Sequence, residues 1–173
     1  TYSKDGGLTW KTSKPAYSGS NECAVVQLSD GSVMLNMRYR PPESGKTWRA
    51  VAVTHDLGET WVEHPTSRTV LQEPVCMGSL HKHVYTSGGE KKSILLFSNP
   101  NVGKDPRRKT TIKVCFDDGM TWPEKYWLLL DEGYNKGYSC LTSIDEKTIG
   151  IIFEGSQAHM TFESIPINEL INK

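Results

Sequence analysis

The chain has 173 residues, and its 20 basic and 20 acidic side chains give it a formal net charge of zero. This balance argues against the basic surface that nucleic acids and anionic membranes require, so neither is an expected partner. The longest apolar runs, 94–97 and 149–153, are far too short to cross a bilayer, and we predict no membrane insertion. The opening residues are polar and do not form a signal peptide.

Four cysteines stand far apart in apolar or strand-like segments: Cys23, Cys76, Cys115 and Cys140. No CxxC pair and no Cys/His spacing typical of zinc sites accompanies them. We expect unpaired thiols that are buried as small hydrophobes, with a disulfide as the alternative. His81 and His83 would share one side of a strand, as metal ligands can, but no third ligand accompanies them. Neither a metal nor a cofactor is therefore predicted.

Three segments repeat the pattern small-x-Asp-x-Gly-x-Thr-Trp around Asp5, Asp56 and Asp117. This pattern is typical of a tight turn, in which the carboxylate accepts backbone N–H bonds and the glycine supplies a positive φ. The tryptophan then anchors the next strand by packing. Because their local bonds occupy these aspartates, we predict a structural role for them and not a catalytic one.

Between these turns, short alternating or apolar stretches bounded by Gly, Pro, Asn and Asp predict strands. The predicted strands are 24–28, 33–38, 49–54 and 60–64, then 79–85, 93–98, 110–116 and 121–130, and finally 139–144, 149–154 and 159–165. A helical turn is predicted only for 167–173. Four strands per unit, with the aspartate turn joining the third strand to the fourth, are typical of β-propeller blades. The sequence therefore predicts an all-β fold without an internal domain boundary.

The repeated turn resembles the Asp-box, or BNR repeat, of sialidases (neuraminidases). Residues 21–38 are similar to the more specific segment that carries a catalytic glutamate and an arginine of the arginine triad in exo-α-sialidases. Residues 95–114 resemble the segment of another triad arginine, and residues 137–154 resemble the nucleophile region. The resemblance covers essentially the whole chain.

This resemblance implies that residues 1–173 form the C-terminal part of a six-bladed β-propeller catalytic domain, about three to three and a half blades. The family's first triad arginine and its acid/base aspartate belong to earlier blades and have no counterpart here. Because half of a propeller would expose two open sheet edges, we expect the chain to fold against an N-terminal half. We also expect this chain alone to be inactive.

The resemblance also implies the site residues: Tyr138 as nucleophile, Glu22 as its base, Arg38 and Arg107 as carboxylate-binding residues, and Glu154 as support for the absent first arginine. Arg40 and Arg108 are immediate alternatives to the two arginines, although the spacing to Thr111 favours Arg107. In an antiparallel blade, the start of the first strand, the end of the second and the start of the third share one end. Four of these residues are therefore predicted to meet on one rim, opposite the aspartate turns.

The function that the resemblance implies is that of an exo-α-sialidase, a retaining glycoside hydrolase that removes terminal sialic acid from glycoconjugates through a tyrosyl-glycoside. Sialylated glycans would be its partners. The alternative from a different class is a non-catalytic Asp-box propeller that acts as a binding or scaffold module, and a trans-sialidase would share the same residues. For a bacterial member of the family, the resemblance implies a secreted or periplasmic protein.

Overall fold

The computed structural model describes residues 1–40, 47–104, 106–157 and 159–172. The strands of this part of the chain are β1 Ser20–Gln27, β2 Val33–Tyr39, β3 Ala50–Thr54, β4 Val62–Glu63, β5 Ser79–Ser87, β6 Glu90–Pro100, β7 Arg108–Cys115, β8 Leu128–Tyr134, β9 Ser139–Asp145, β10 Thr148–Phe153 and β11 Thr161–Pro166. A 3-10 turn spans Glu124–Tyr126, and helix α1 spans Ile167–Ile171. The predicted C-terminal helical turn is thus confirmed, although Lys173 lies outside the described residues. No helix in these ranges is long and apolar enough to span a membrane.

The strands form three antiparallel sheets that follow one another along the chain. The first sheet has the order β1-β2-β3-β4, the second β5-β6-β7-β8 and the third β11-β10-β9. The first strands of successive sheets are neighbours, because β1 contacts β5 and β5 contacts β9. The all-β prediction is confirmed, and sheets packed around their first strands are the arrangement of a propeller-type fold.

Alternation along the strands explains how the sheets pack. In β10, Ile149, Ile151 and Phe153 are almost completely buried, whereas Ile152 is 40% exposed. The buried members join Leu96 of β6 in a core shared by the second and third sheets. Burying each such side chain contributes about 1.5–3 kcal/mol. In the sequence this segment is one of the longest apolar runs, and that run allowed the strand to be predicted.

The predicted strand 121–130 is wrong over its first half, because β8 begins only at Leu128. Pro123 has no backbone N–H to donate to a ladder. The chain turns there instead, since the Tyr126 amide donates to the Pro123 carbonyl at 3.0 Å and the Trp127 amide donates to the Glu124 carbonyl at 3.0 Å. Glu22 was predicted to precede a strand, but β1 already begins at Ser20, with an irregular register between Ser20 and Cys23.

The aspartate turns have the predicted internal bonds. Asp56 accepts the Thr60 amide at 2.9 Å and the Thr60 hydroxyl at 2.6 Å, and Asp117 binds its own threonine in the same way. Bonds from the Thr9 side chain and amide likewise hold the pKa of Asp5 at about 2. The turns around Asp56 and Asp117 join the third strand to the fourth in their sheets, as predicted. Their carboxylates thus stabilise local backbone.

The prediction of buried cysteines holds for only two of the four. All four are free thiols; Cys76 and Cys115 are buried, whereas Cys23 and Cys140 are exposed. Side chains alternate between the two faces of a strand, and this places Cys23 on the same exposed face of β1 as Val25. Burial raises the pKa of the Cys76 thiol to about 11.

The two histidines of β5 converge on one hydroxyl. His81 Nε2 and His83 Nδ1 each lie 2.8 Å from Ser143 Oγ, and His83 Nε2 lies 3.2 Å from the Glu146 carbonyl. The carbonyl requires His83 to donate from Nε2, so its Nδ1 accepts the serine proton and His81 donates to Ser143 Oγ. Within the described ranges, no three ligand-type side chains form a metal-binding group. Burial lowers the pKa of both imidazoles, so both are held neutral.

We predict that the protein loses stability as the pH falls below about 6.5, the pKa of a histidine in an unfolded chain. Above that value neither state binds the proton, whereas below it the unfolded chain binds protons before the folded one does. The melting temperature measured by calorimetry should therefore fall between about pH 7 and pH 5. The double variant His81→Gln/His83→Gln should have a flatter profile, while exposed His55→Gln should keep the wild-type slope. Equal slopes for all three proteins would contradict the assignment.

Candidate active site

Four of the predicted residues lie at one end of the sheets. Glu22 is the third residue of β1, and Arg38 is the penultimate residue of β2. Arg107 directly precedes β7, and Tyr138 directly precedes β9. Antiparallel pairing brings these strand ends to the same rim, as predicted from the sequence. Three neighbouring sheets therefore each contribute to one cluster of side chains.

The Glu22 carboxylate is the centre of this cluster. Its Oε1 accepts the Tyr138 hydroxyl at 2.7 Å, although the two residues are 116 positions apart. Its Oε2 accepts a hydrogen bond from Nη1 of Arg38, which makes an ion pair with it. The buried Nε of Arg38 has no hydrogen-bond partner within the described ranges, so Glu22 does not saturate this guanidinium. Tyr138 is 39% exposed and remains accessible at the rim.

The charges of the cluster set its protonation states. The hydrogen bond to Glu22, followed by burial and the carboxylate charge, raises the pKa of Tyr138. Burial alone would raise the pKa of Glu22, but hydrogen bonds from Arg38 and Tyr138 outweigh it and lower the pKa below the ordinary value. Near neutral pH, a protonated phenol thus donates to an ionised carboxylate. This is the arrangement of a hydroxyl with its proton acceptor in place.

Arg107 lies near the phenol ring of Tyr138. Its Cζ is 5.9 Å from the centroid of the Tyr138 ring, within the range of a cation–π contact. Its guanidinium donates to the carbonyls of Lys136 at 2.6 Å and Val75 at 3.2 Å. The two alternative arginines, 40 and 108, are exposed residues. Among the described contacts, the arginines that meet Glu22 and Tyr138 are Arg38 and Arg107.

Glu154 holds the backbone of Tyr138. Its Oε2 accepts the Tyr138 amide at 3.0 Å, and its own amide donates to the Tyr138 carbonyl at 3.0 Å. The role predicted from the sequence, support for an arginine that these residues do not include, stays a prediction. The carboxylate fixes the residue whose hydroxyl meets Glu22.

Gly137 is required directly before Tyr138. Its φ is +93°, and a Cβ at this position would lie 2.7 Å from Pro100 Cγ, 2.9 Å from Cys76 Sγ and 3.1 Å from Arg107 Cδ. A side chain here would collide with these three residues, and one of them is Arg107 itself. The absence of a side chain lets this turn pack against Cys76 and Pro100.

Sequence reasoning missed a buried ion pair below the rim. The side chains of Arg49 and Glu73 are both 0% exposed, and Arg49 Nη1 lies 2.7 Å from Glu73 Oε2. Arg49 also donates from Nε to Asn36 Oδ1 at 2.6 Å. The available signal was a charged residue at the start of the apolar segment 49–54 and another in the apolar stretch around Glu73. Charges are fully buried in proteins almost only when they are paired.

The chain matches the BNR repeat-like domain over residues 1–151. It is 48% identical over 170 residues to a sialidase of Bacteroides fragilis (strain YCH46). This alignment covers 98% of this chain and 30% of that protein. It is 33% identical over 156 residues to a sialidase of Micromonospora viridifaciens, with coverage of 88% and 23%. The solved structure of a Hadza microbial sialidase superimposes with a TM-score of 0.89 at 46% identity, over 98% of this chain and 32% of that one.

The fold and these matches define a BNR-repeat protein of the propeller type. The chain belongs to the BNR repeat-like family, and the resemblance to sialidases that its motifs predict is confirmed. It spans about a third or less of the length of these relatives.

We predict that Glu22→Gln moves the pKa of Tyr138 down toward the ordinary value of a phenol, because the charge that favours the protonated form is removed. NMR titration of tyrosine labelled at Cζ would measure the midpoint. Tyr17, which packs against the first sheet, and Glu63 of β4 form a matched pair, with 3.3 Å between the hydroxyl and Oε1. Glu63→Gln should therefore move Tyr17 and leave Tyr138 unchanged. An unchanged Tyr138 midpoint in Glu22→Gln would contradict the contact.

A second prediction concerns Gly137→Ala, which should destabilise the protein more than Gly31→Ala does. Both glycines have a positive φ, but a Cβ on Gly31 would meet nothing within 4 Å. Gly31→Ala should thus cost only the left-handed backbone strain, about 1–2 kcal/mol. Gly137→Ala adds overpacking of about 1–3 kcal/mol. Urea unfolding of the two variants measures the difference, and equal losses would argue against tight packing at Gly137.

Proposed function

We propose that this chain is part of the catalytic domain of an exo-α-sialidase, which removes terminal sialic acid from glycoconjugates. The observation that carries the proposal is the 2.7 Å hydrogen bond from the Tyr138 hydroxyl to the Glu22 carboxylate, with Arg38 and Arg107 beside it. The similarity to sialidases along nearly the whole chain supports it. Sialylated glycans are the proposed substrates.

Arg38 and Arg107 are the proposed binding groups for the carboxylate that sialic acid carries on its anomeric carbon. A guanidinium is planar, keeps its charge at every relevant pH and can donate two parallel hydrogen bonds to a carboxylate. The buried Nε of Arg38 has no hydrogen-bond partner within the described ranges, and two backbone carbonyls hold the Arg107 guanidinium beside Tyr138. Both groups can therefore attract an anion to the rim.

Tyr138 is the proposed nucleophile and Glu22 its base. As Tyr138 Oη attacks the anomeric carbon, the phenolic proton passes to Glu22, and the bond to the leaving oxygen breaks with its electron pair on that oxygen. An acid then protonates the leaving group, and a tyrosyl-glycoside remains. Water then attacks the anomeric carbon and gives a proton to the group that acted as the acid, while the bond to Tyr138 Oη breaks and this oxygen takes its proton back from Glu22. Two displacements at one carbon retain the configuration. Glu154 and Gly137 keep the Tyr138 backbone in place during both steps.

A tyrosine suits this substrate for an electrostatic reason. A carboxylate nucleophile would approach the substrate carboxylate as a like charge, at a cost of several kcal/mol at an intermediate dielectric. Sialidases are the glycosidases that use a tyrosine nucleophile instead. The raised pKa of Tyr138 keeps the phenol neutral until Glu22 removes its proton.

We further propose that the site is completed from outside this chain. The acid/base aspartate and the third carboxylate-binding arginine would come from an N-terminal half that completes a six-bladed propeller. The chain's coverage of about a third of its relatives supports this division. A secreted or periplasmic location is proposed from the family resemblance alone.

We predict that the complete polypeptide releases the fluorophore from a 4-methylumbelliferyl α-sialoside, whereas residues 1–173 alone do not. Tyr138→Phe should lower kcat of the complete protein by at least about a hundredfold, because the nucleophilic oxygen is gone and general base catalysis with it. Tyr17→Phe removes a comparable hydroxyl-to-carboxylate contact at the first sheet and should keep full activity.

Three outcomes would overturn parts of this proposal. Equal turnover by Tyr138→Phe would exclude this residue as nucleophile. Robust turnover by residues 1–173 would show that the acid/base group lies within them. A complete protein that binds sialylated glycans without cleaving them would instead support the binding-module alternative.

A further inference from the structure

We propose that Glu73 is a positioning residue whose buried carboxylate holds Arg38, Arg107 and Tyr138 in their relative places. The inference rests on the function proposed for those three residues. Glu73 itself lies below the rim, is 0% exposed and touches none of their side chains in the described contacts. Its effect passes through the backbone segments that carry or contact them.

The first connection leads to Arg38. Glu73 Oε1 accepts the backbone amide of Tyr39 at 2.9 Å. Tyr39 directly follows Arg38 at the end of β2, where the chain leaves the sheet. The carboxylate therefore fixes the peptide unit that joins the two residues, and with it the direction in which the Arg38 side chain leaves the backbone.

The second connection leads to residues 74–76. Glu73 Oε2 accepts the Cys76 amide at 3.2 Å and Nη1 of Arg49 at 2.7 Å. The same Arg49 nitrogen donates to the Cys76 carbonyl at 2.7 Å. Both backbone polar atoms of Cys76 are thus held by one buried ion pair.

This held segment contacts the other two site residues. The Val75 carbonyl accepts a hydrogen bond from Arg107 Nη2 at 3.2 Å. The Cys76 thiol lies 3.4 Å from the carbonyl of Gly137, the residue before Tyr138. One carboxylate therefore reaches three site residues: Arg38 through the Tyr39 amide, Arg107 through the peptide unit of Val75 and Cys76, and Tyr138 through the Cys76 thiol and Gly137.

Two features make this connection rigid. The ion pair is fully buried, so separating its members would leave an unpaired charge without water. Val75 has a φ of +52°, a conformation that a β-branched residue adopts only when its surroundings enforce it. The bonds of Glu73 and Arg49 to Cys76 supply that enforcement. Loosening them should let Val75 relax and move the carbonyl that holds Arg107.

The test compares Glu73→Gln with Glu63→Gln in the complete polypeptide. Glu63 forms an ion pair with Arg68 at 3.1 Å that is about half exposed, so its variant loses a carboxylate without loosening the rim. The ligands are N-acetylneuraminic acid and its methyl ester, and calorimetry measures the binding of each. The methyl ester has no charged carboxylate for Arg38 and Arg107 to bind.

We predict that Glu73→Gln weakens binding of the acid by about tenfold to a hundredfold, the range expected when one hydrogen bond to a charged group is lost. Binding of the methyl ester should change much less, and KM for the fluorogenic sialoside should rise with the loss of acid binding. Glu63→Gln should behave as wild type. The core variant Ile149→Val, which destabilises the third sheet without touching these contacts, should keep the wild-type preference for the acid.

If Glu73→Gln does not fold, the double variant Arg49→Met/Glu73→Gln takes its place, because it leaves no unpaired buried charge. Failure of both to fold would overturn the inference in favour of a purely structural role. An unchanged preference for the acid in a folded variant would also overturn it.

A wild-type protein that neither binds nor cleaves sialosides would refute the proposed function. The positioning role of Glu73 would then be tested by whether its variant changes the surroundings of Tyr138. NMR titration reports those surroundings without any ligand. A Tyr138 midpoint that moves in Glu73→Gln and stays in Glu63→Gln would support the inference, and an unmoved midpoint in both would refute it.

Discussion

The Glu22 carboxylate accepts hydrogen bonds from the Tyr138 hydroxyl and the Arg38 guanidinium, and the rest of the site is arranged around this double contact. Glu22 and Arg38 belong to the first sheet, whereas Tyr138 precedes the first strand of the third. The contact is possible because the first strands of all three sheets are neighbours. It also sets the protonation state of both groups, since the charge on Glu22 keeps Tyr138 protonated and Arg38 keeps Glu22 ionised. A chemically competent pair thus depends on how whole sheets pack.

Buried charges support this rim from below. Arg49 and Glu73 bind each other and Cys76, and Lys113, also buried, donates to Asn99 Oδ1 at 2.6 Å. Burial lowers the pKa of Lys113 to about 7. Moving such groups out of water is costly, and buried ion pairs are often no more stabilising than apolar side chains of similar size. Their directional hydrogen bonds fix the positions of backbone groups more closely than apolar packing does. Arg49 and Glu73 fix the backbone of Tyr39 and Cys76 in this way, close to the candidate nucleophile.

Local patterns were read correctly where local bonds decide the structure. The turns around Asp56 and Asp117 close through bonds to residues four positions away, so their geometry follows from the repeat. The apolar run 149–153 likewise predicted β10. The prediction was wrong over 121–127, where Pro123 and a 3-10 turn delay β8, and for Cys23, which lies on the exposed face of β1. The residue types in 121–127 favour a strand, but a neighbouring turn prevents it. The residue type of Cys23 favours the core, but its side chain lies on the face of the sheet that is left uncovered.

The sequence by itself determined the strand order, the aspartate turns, the family and the rim on which Glu22, Arg38, Arg107 and Tyr138 meet. These features follow from the direction of successive strands and from bonds and motifs formed by residues close together in the sequence. Only the tertiary structure decided which atoms touch. It paired Glu22 with a hydroxyl 116 positions away, gave Glu154 to the Tyr138 amide, and joined Arg49 to Glu73. Such contacts depend on the distance and angle between sheets, which are set by packing of the whole core and by no local pattern.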